Sequence, residues 1–503
     1  MAIAFSRREF LGGLSFLFAR GVTRTYAEAV GAGRPHVSFG VLSDIHINPR
    51  AACDRVRARM GLGPVTAPHR YIETDVLEKA FRWFDDRACD AVMIAGDMAD
   101  DGLTSQLQAV ADCWYKVFPE NRSAKDGRPV EKLFIGGNHD FFGVTYSGGA
   151  SIHEHWKYRI PDDEWLSKDM AGHWREIFGE EYAPIYLKEV KGYTFIGAHW
   201  HAWEGIPDVV PFIKEHEGKL RGAKPFFFFE HQQPVDSCLG KWAFNPDPHS
   251  TEALKSFPNA VAFSGHSHKS LSLPYNYWQG AFTSIGAATL CSLGGEYGRE
   301  NGPQRFRYDN SRAVMPPVRS NYHDHAQGQF VRVYDGFIEI ERYDFAIDHP
   351  IGGTLVIPLP ATEKSAFFYD NQVAASQAPA PFPEGGQVKV DAGRDVFGSF
   401  IRLRFPKTRI VKGCAPTADY CIEAVLEEAD VVRTLFTRYV YSSGVFGPRE
   451  LDTGEMTARL LRDLFPETGK VRFVVRARED FGKTNEPIVS PRLELRTLGG
   501  KSV

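Results

Sequence analysis

Five short apolar runs in this chain each stop on side chains that can hold a metal ion. They are "VLSDIHI", ending on Asp44 and His46; "DAVMIAGD", on Asp97; "EKLFIGGNHD", on Asn138, His139 and Asp140; "KPFFFFEH", on His231; and "NAVAFSGHSH", on His266 and His268. Each run is rich in Val, Ile or Phe without clean polar alternation, the pattern of strands buried on both faces. Between the first two lies "DVLEKAFRWFDD", in which Val76, Leu77, Ala80, Phe81 and Phe84 mark one side of a helix. Strand, helix and strand predict a layered α/β sheet, with the order of parallel and antiparallel neighbours left open. In such sheets ligands gather beyond the carboxyl ends of the strands, where all these polar residues fall.

Carboxylate, imidazole and amide oxygen together suit borderline divalent ions such as zinc, manganese or iron, and one carboxylate can bridge two of them. Glycines precede Asp97, Asn138 and His266, allowing the backbone to turn sharply out of each strand.

The ordered set Asp44-x-His46, Gly96-Asp97, Gly137-Asn138-His139-Asp140, His231 and Gly265-His266-Ser267-His268 resembles the calcineurin-like metallophosphoesterase superfamily over roughly residues 36 to 345. The resemblance implies a layered α/β metallophosphoesterase sandwich. It implies two divalent transition-metal ions (zinc, manganese or iron), with Asp44, His46, Asp97 and His268 around one and Asp97, Asn138, His231 and His266 around the other. His139 would face the substrate, stabilising charge and able to protonate the leaving oxygen. Asp140 would either orient that imidazole or cap the turn that follows it. The implied reaction is attack of a metal-bound hydroxide on a phosphoester, with no protein nucleophile. Consistently, the chain has no GxSxG elbow and no Walker-type loop. Purple acid phosphatases are disfavoured, because His46 and Asp100 stand where that subfamily has glycine and tyrosine. The motifs look closer to bacterial cyclic-nucleotide and phospholipid phosphodiesterases, which puts phosphodiesters ahead of monoesters. The alternatives are a phosphomonoesterase, or a non-catalytic binding or adhesion protein on the same scaffold.

Other histidines read as bystanders. His199 and His201 of "GAHWHAW" are passed over as ligands in favour of His231, which has a strand before it and a proline after it; His201 is a pocket-lining candidate. "YHDHAQG", residues 322 to 328, reads as a solvated loop. Residues 48 to 74 read as an inserted loop near the site that shapes specificity.

The amino terminus resembles a twin-arginine export signal, in Ser6, Arg7, Arg8, Phe10 and Leu11, with a small-residue cleavage point after Ala29. Its apolar stretch is too short to span a bilayer, which needs about 20 residues. The expectation is a periplasmic or secreted bacterial protein, moved by the twin-arginine machinery and without a stable membrane span after residues 1 to 29 are removed. With 63 acidic and 59 basic residues spread along the chain, no basic block argues for a nucleic-acid partner. A phosphoester substrate is the partner expected. Seven scattered cysteines form no CxxC pair; Cys414 and Cys421 could pair or remain thiols.

The catalytic domain is expected over residues 36 to 370, closing with a hairpin that turns at Asp335-Gly336. "NQVAASQAPAPFPEGGQ" marks a linker, residues 371 to 386. Residues 387 to 500 carry repeated alternating strands, with Val471, Phe473, Val475 and Ala477 on one face. They predict a β-sandwich domain that is similar to fibronectin type III; a β-extension of the catalytic core is the alternative.

Overall fold

The computed structural model describes residues 33–63, 71–141, 160–200, 205–240, 243–294, 299, 324–395, 398–428, 431–449 and 453–498. The export motif at residues 1 to 29 and His201 lie outside them. The described residues divide into two compact units, one within residues 33–294 and 324–371, the other within residues 372–498 together with Arg299.

The first unit is built on two sheets. Strands β1 (Val37–Leu42), β2 (Ala91–Ala95) and β3 (Glu131–Ile135) run parallel. A hairpin, β10 (Gln327–Tyr334) and β11 (Phe337–Asp344), adds antiparallel to β1 and turns at Asp335-Gly336, where Gly336 has φ +78°; the short β12 (His349–Pro350) and β13 (Leu355–Pro358) pair antiparallel with β11. In the second sheet β5 (Tyr193–Ala198), β6 (Phe226–Glu230), β7 (Ala260–Ser264) and β9 (Thr283–Gly286) are parallel neighbours in that order. Antiparallel edges close it, β4 (Ile185–Val190) beside β5 and β8 (Tyr277–Gln279) beside β9.

The two sheets face each other through aromatic residues. Phe39 of β1 packs edge-on against Phe195, Phe227 and Phe263, with ring centroids 5.0–5.9 Å apart. Helices cover the outer faces. Leu77, Phe81 and Phe84 of the helix Asp75–Asp86 share a core with Val92 and Ile94 of β2, while Phe226 and Phe228 of β6 share another with Ile213, Ala253 and Leu254. The run Phe226–Phe229 therefore feeds two cores alternately, which is why it lacks polar positions. Gly40 lets Phe84 lie directly on β1, since a Cβ there would strike its ring.

Two expectations need correcting. Residues 48–74 are not simply a loop: they open with the helix Arg50–Arg59, whose Cys53 and Val56 pack on Leu103 and Ile160. His325 of the supposed solvated loop is 4 % exposed, with Nδ1 2.6 Å from Asp344 Oδ2. The hairpin register sets Gln327 opposite Asp344, which brings this buried carboxylate beside the chain entering β10. Tyr322 and His323 lie outside the described residues.

The second unit is antiparallel throughout its sheets. β14 (Lys389–Asp395), β15 (Gly398–Pro406) and β18 (Glu455–Leu461) form one sheet. β16 (Asp419–Glu428), β17 (Val431–Tyr441) and β19 (Lys470–Arg478), with the short β20 (Ile488–Val489) and β21 (Leu493–Glu494), form the other. Ile401, Leu403 and Phe405 meet Tyr420, Ile422, Val471, Phe473, Val475 and Ala477 in a shared core. Cys414 and Cys421 are both free thiols. The stretch read as an unpatterned linker is ordered in part: Tyr369–Ala375 is helical, Lys483 Nζ donates to Ser376 O, and Asn485 Nδ2 donates to Ala380 O.

Candidate metal centre

Asp44, His46, Asp97, His139, His231, His266 and His268 bring their potential ligand atoms into adjoining groups at the carboxyl ends of β1, β2, β3, β6 and β7. One group joins Asp44, His46 and His268, and a second joins Asp97, His231 and His266; within each, one potential ligand atom per residue lies within 4.8 Å of the others. His268 Nε2 is 2.9 Å from Asp44 Oδ1, and His231 Nε2 is 3.0 Å from Asp97 Oδ2. Asp97 Oδ2 also lies 3.7 Å from His46 Nε2, so this oxygen stands between the groups. Asn138, which precedes His139, is buried.

The backbone reaches this geometry under strain. Asp44, His46, Asp97, His266 and His268 all have φ between +49° and +63°. For residues with a Cβ this conformation costs on the order of 1–3 kcal/mol each, and it persists where the surroundings over-determine it. Glycine is needed elsewhere, for room: a Cβ on Gly137 would collide with Asp97 and His231, and one on Gly265 with Ser43 and Asp44.

Imidazole orientation follows from what each Nδ1 meets. His231 Nδ1 donates to Ala95 O at 2.8 Å, His268 Nδ1 to Ser292 O at 2.7 Å, and His139 Nδ1 to Asp100 O at 2.8 Å; His46 Nδ1 lies 3.1 Å from Asp100 Oδ1. Since a carbonyl only accepts, these bonds place the proton on Nδ1 and leave the Nε2 lone pair for the centre. His266 Nε2 and Asn138 Oδ1 are buried without a hydrogen-bond partner, while His231 Nε2 meets Asp97 Oδ2. His46 Nε2 faces His268 Nε2 at 3.2 Å. Converging lone pairs beside two buried carboxylates are what a divalent cation requires, and the mixed N and O donor set fits a transition metal.

Charge in the cluster agrees. Burial pushes the Asp44 carboxyl up, but His268 and His231 outweigh it and hold it below its usual range; Asp97 is likewise held well below, against burial, by His231 and His139. Against its burial, Asp97 and Asp44 push His231 up to about 9, so in the metal-free site its Nε2 carries a proton toward Asp97 that a bound cation would displace. His266 falls to about 3, through burial and then the neighbouring His231.

Asp140 does not orient His139. Its carboxylate accepts the backbone N–H groups of Gly137 at 2.7 Å, Ala99 at 2.8 Å and Met98 at 3.2 Å, pinning the two loops that carry Asp97 and Asn138. Burial, then the charge on Asp97, raises its pKa to about 7. The residue overlooked is Asp100, whose side chain meets His46 and whose carbonyl holds His139; Asn48 Nδ2 donates to its other oxygen at 3.2 Å. Its signal was its place three residues after Asp97. His199 supports the same region from behind, accepting the Gly136 N–H at 3.0 Å among Trp174, Tyr182 and Tyr186.

Fold and donor set together define a metal-dependent phosphoesterase. Residues 37–270 match the sequence model of the calcineurin-like phosphoesterase family. No curated protein matches the chain. Among solved structures it is similar to GAP50, the anchor in the inner membrane complex of Plasmodium, at 11% identity over 65% of this chain and 90% of that one, with a TM-score of 0.32. A predicted phosphoesterase from Streptococcus pneumoniae TIGR4 gives 12% identity, 64% and 97% coverage, and a TM-score of 0.23. Vps29 complexed with zinc, from Entamoeba histolytica, gives 8%, 64%, 99% and 0.26. Likenesses this slight carry nothing about substrate or partners.

Proposed function

We propose that the protein is an exported phosphoesterase that works with two divalent metals and prefers phosphodiesters. The observation that supports this most is the position of Asp97 Oδ2 between His231 and His46, with the orphaned Nε2 of His266 nearby. Asp44, His46, Asp97 and His268 would hold one ion, and Asp97, Asn138, His231 and His266 the other. When bound, such ions supply Lewis acidity, making water acidic and neutralising charge on phosphoryl oxygens. Asp97 and Asp44, kept ionised by the neighbouring histidines, would hold the cations. His139 stands edge-on to His46 with centroids 4.5 Å apart, and its side chain is 23 % exposed, within reach of a substrate. With Nδ1 committed to Asp100 O, its Nε2 is the atom that bonds a phosphoryl oxygen or delivers a proton to the departing one.

Export rests on Ser6, Arg7, Arg8, Phe10 and Leu11, and periplasmic or secreted location follows from it. Residues 36 to 370 are read as catalytic and residues 387 to 500 as a fibronectin type III-like sandwich. The test is hydrolysis by the full chain, reconstituted with zinc, manganese or iron, of bis(p-nitrophenyl) phosphate against p-nitrophenyl phosphate. Faster turnover of the diester supports the reading. Activity on the monoester alone reverses the substrate class, and no activity with any metal returns the chain to a binding role.

A further inference from the structure

Phe244 is the most unusual side chain around the centre, because it is apolar, 54 % exposed and set against a candidate ligand: its ring centroid lies 5.1 Å from that of His266. A single exposed phenylalanine means little by itself. This one is held in place. Its N–H donates to Ser267 Oγ at 2.9 Å, Ser267 Oγ donates to Gln233 Oε1 at 2.7 Å, and Gln233 Nε2 donates to Gly265 O. Ser267 and Gln233 are 7 % and 1 % exposed. A buried polar chain thus ties the Phe244 backbone to the Gly265–His268 turn that supplies two candidate ligands. Asn245, the next residue, takes φ +45°, so the backbone beside the ring is strained. Trp200, half-buried, also lies near His266, with centroids 6.3 Å apart.

We infer that Phe244 is a substrate-binding wall that takes a planar aromatic group on the ester oxygen retained during hydrolysis. His139 stands against His46, whereas Phe244 stands against His266 in the other ligand group. A group resting on Phe244 is therefore away from the proton donor that serves the departing oxygen, and only a diester has such a retained group. The inference rests on the phosphodiesterase reading and narrows it to diesters bearing an aryl or other flat ring. Stacking on an exposed aromatic face is tolerant of ring identity and contributes on the order of a 5- to 50-fold preference.

The experiment uses metal-reconstituted full chain and two diesters that share p-nitrophenolate as leaving group, with methyl or 2-naphthyl as the retained group. Wild-type protein is expected to show a naphthyl-to-methyl kcat/KM ratio of roughly 10 or more, carried mainly by KM. Phe244→Ala should bring that ratio down about 5- to 50-fold with its metal content intact, and Phe244→Tyr should keep it. A wild-type ratio near one, or a ratio that survives Phe244→Ala, overturns the wall while leaving a phosphodiesterase. Collapse of the ratio in both variants together with lost metal also overturns it, because the loop and not the ring would then be responsible. Failure of wild type to cleave either diester instead defeats the phosphodiesterase reading itself.

Discussion

Asp97 Oδ2 lies 3.0 Å from His231 Nε2, while the other carboxylate oxygen of Asp97 accepts the backbone N–H of His139 at 2.8 Å. One side chain therefore aligns a candidate ligand from β6 and orients the residue proposed to face the substrate. That alignment needs an empty space at Gly137, whose missing side chain leaves room for Asp97 and His231. Gly137→Ala should weaken metal binding by more than 10-fold, the scale of a displaced supporting shell, while far-ultraviolet circular dichroism stays close to wild type. Unchanged metal titration would show that the close approach is not needed.

Asp140 acts on stability. Removing its carboxylate in Asp140→Ala strands three buried N–H groups, those of Gly137, Ala99 and Met98, each worth about 1–3 kcal/mol when left unpaired. Chemical denaturation should show a loss of roughly 3 kcal/mol or more. A loss below about 1 kcal/mol would mean that water or another group replaces it.

Asp100 is expected to tune His46 and not His139. In Asp100→Ala the His46 Nδ1 loses its partner, but the Asp100 carbonyl that accepts from His139 stays. Metal affinity should fall roughly 10- to 100-fold, the usual cost of an outer partner, with Asp100→Asn less affected because its amide oxygen still accepts. Equal affinity in wild type and the alanine variant would remove Asp100 from the account.

His199 gives a pH signature away from the ligands. Burial, aided by Lys188, holds its pKa near 3 against 6.5 when unfolded. A depressed value means that its contribution to stability is fully present above about pH 6.5 and is lost as pH falls toward 3, by roughly 4–5 kcal/mol at most. In His199→Asn, which keeps an acceptor for the Gly136 N–H, the denaturation free energy should be flatter across that window than in wild type. Parallel profiles would show that His199 titrates normally.

The reading from sequence succeeded where several distant segments obeyed one rule. Apolar runs ending on Asp44, Asp97, Asn138, His231 and His266 are separately weak, but buried parallel strands must deliver their ends to one edge, and so the cluster could be assembled before its geometry was known. What escaped notice depends on contacts without a residue-type signature. Ser292 holds His268 through a carbonyl, and Asp100 holds His139 through another. Asp140 looked like a partner for its neighbour His139 because adjacency is visible in a sequence, whereas three amides from two loops are not. Glycines were expected to absorb the sharp turns, yet Asp44, His46 and His268 take positive φ themselves. In the second unit, alternation identified Val471, Phe473, Val475 and Ala477 as core, but the pairing of β15 with β18 across the intervening β16 and β17 is long-range and left no local mark.

Metal content measured on Asp97→Asn, His139→Ala and wild type in parallel tests the central claim most directly. Elemental analysis after reconstitution should give close to two equivalents of transition metal in wild type and in His139→Ala, with turnover in the latter reduced 10²–10⁴-fold or so. Asp97→Asn should lose metal and activity together and recover part of both in excess metal. Wild-type protein that takes up no zinc, manganese or iron, or a His139→Ala variant that loses metal as readily as Asp97→Asn, would contradict the two-metal centre and the division of roles within it.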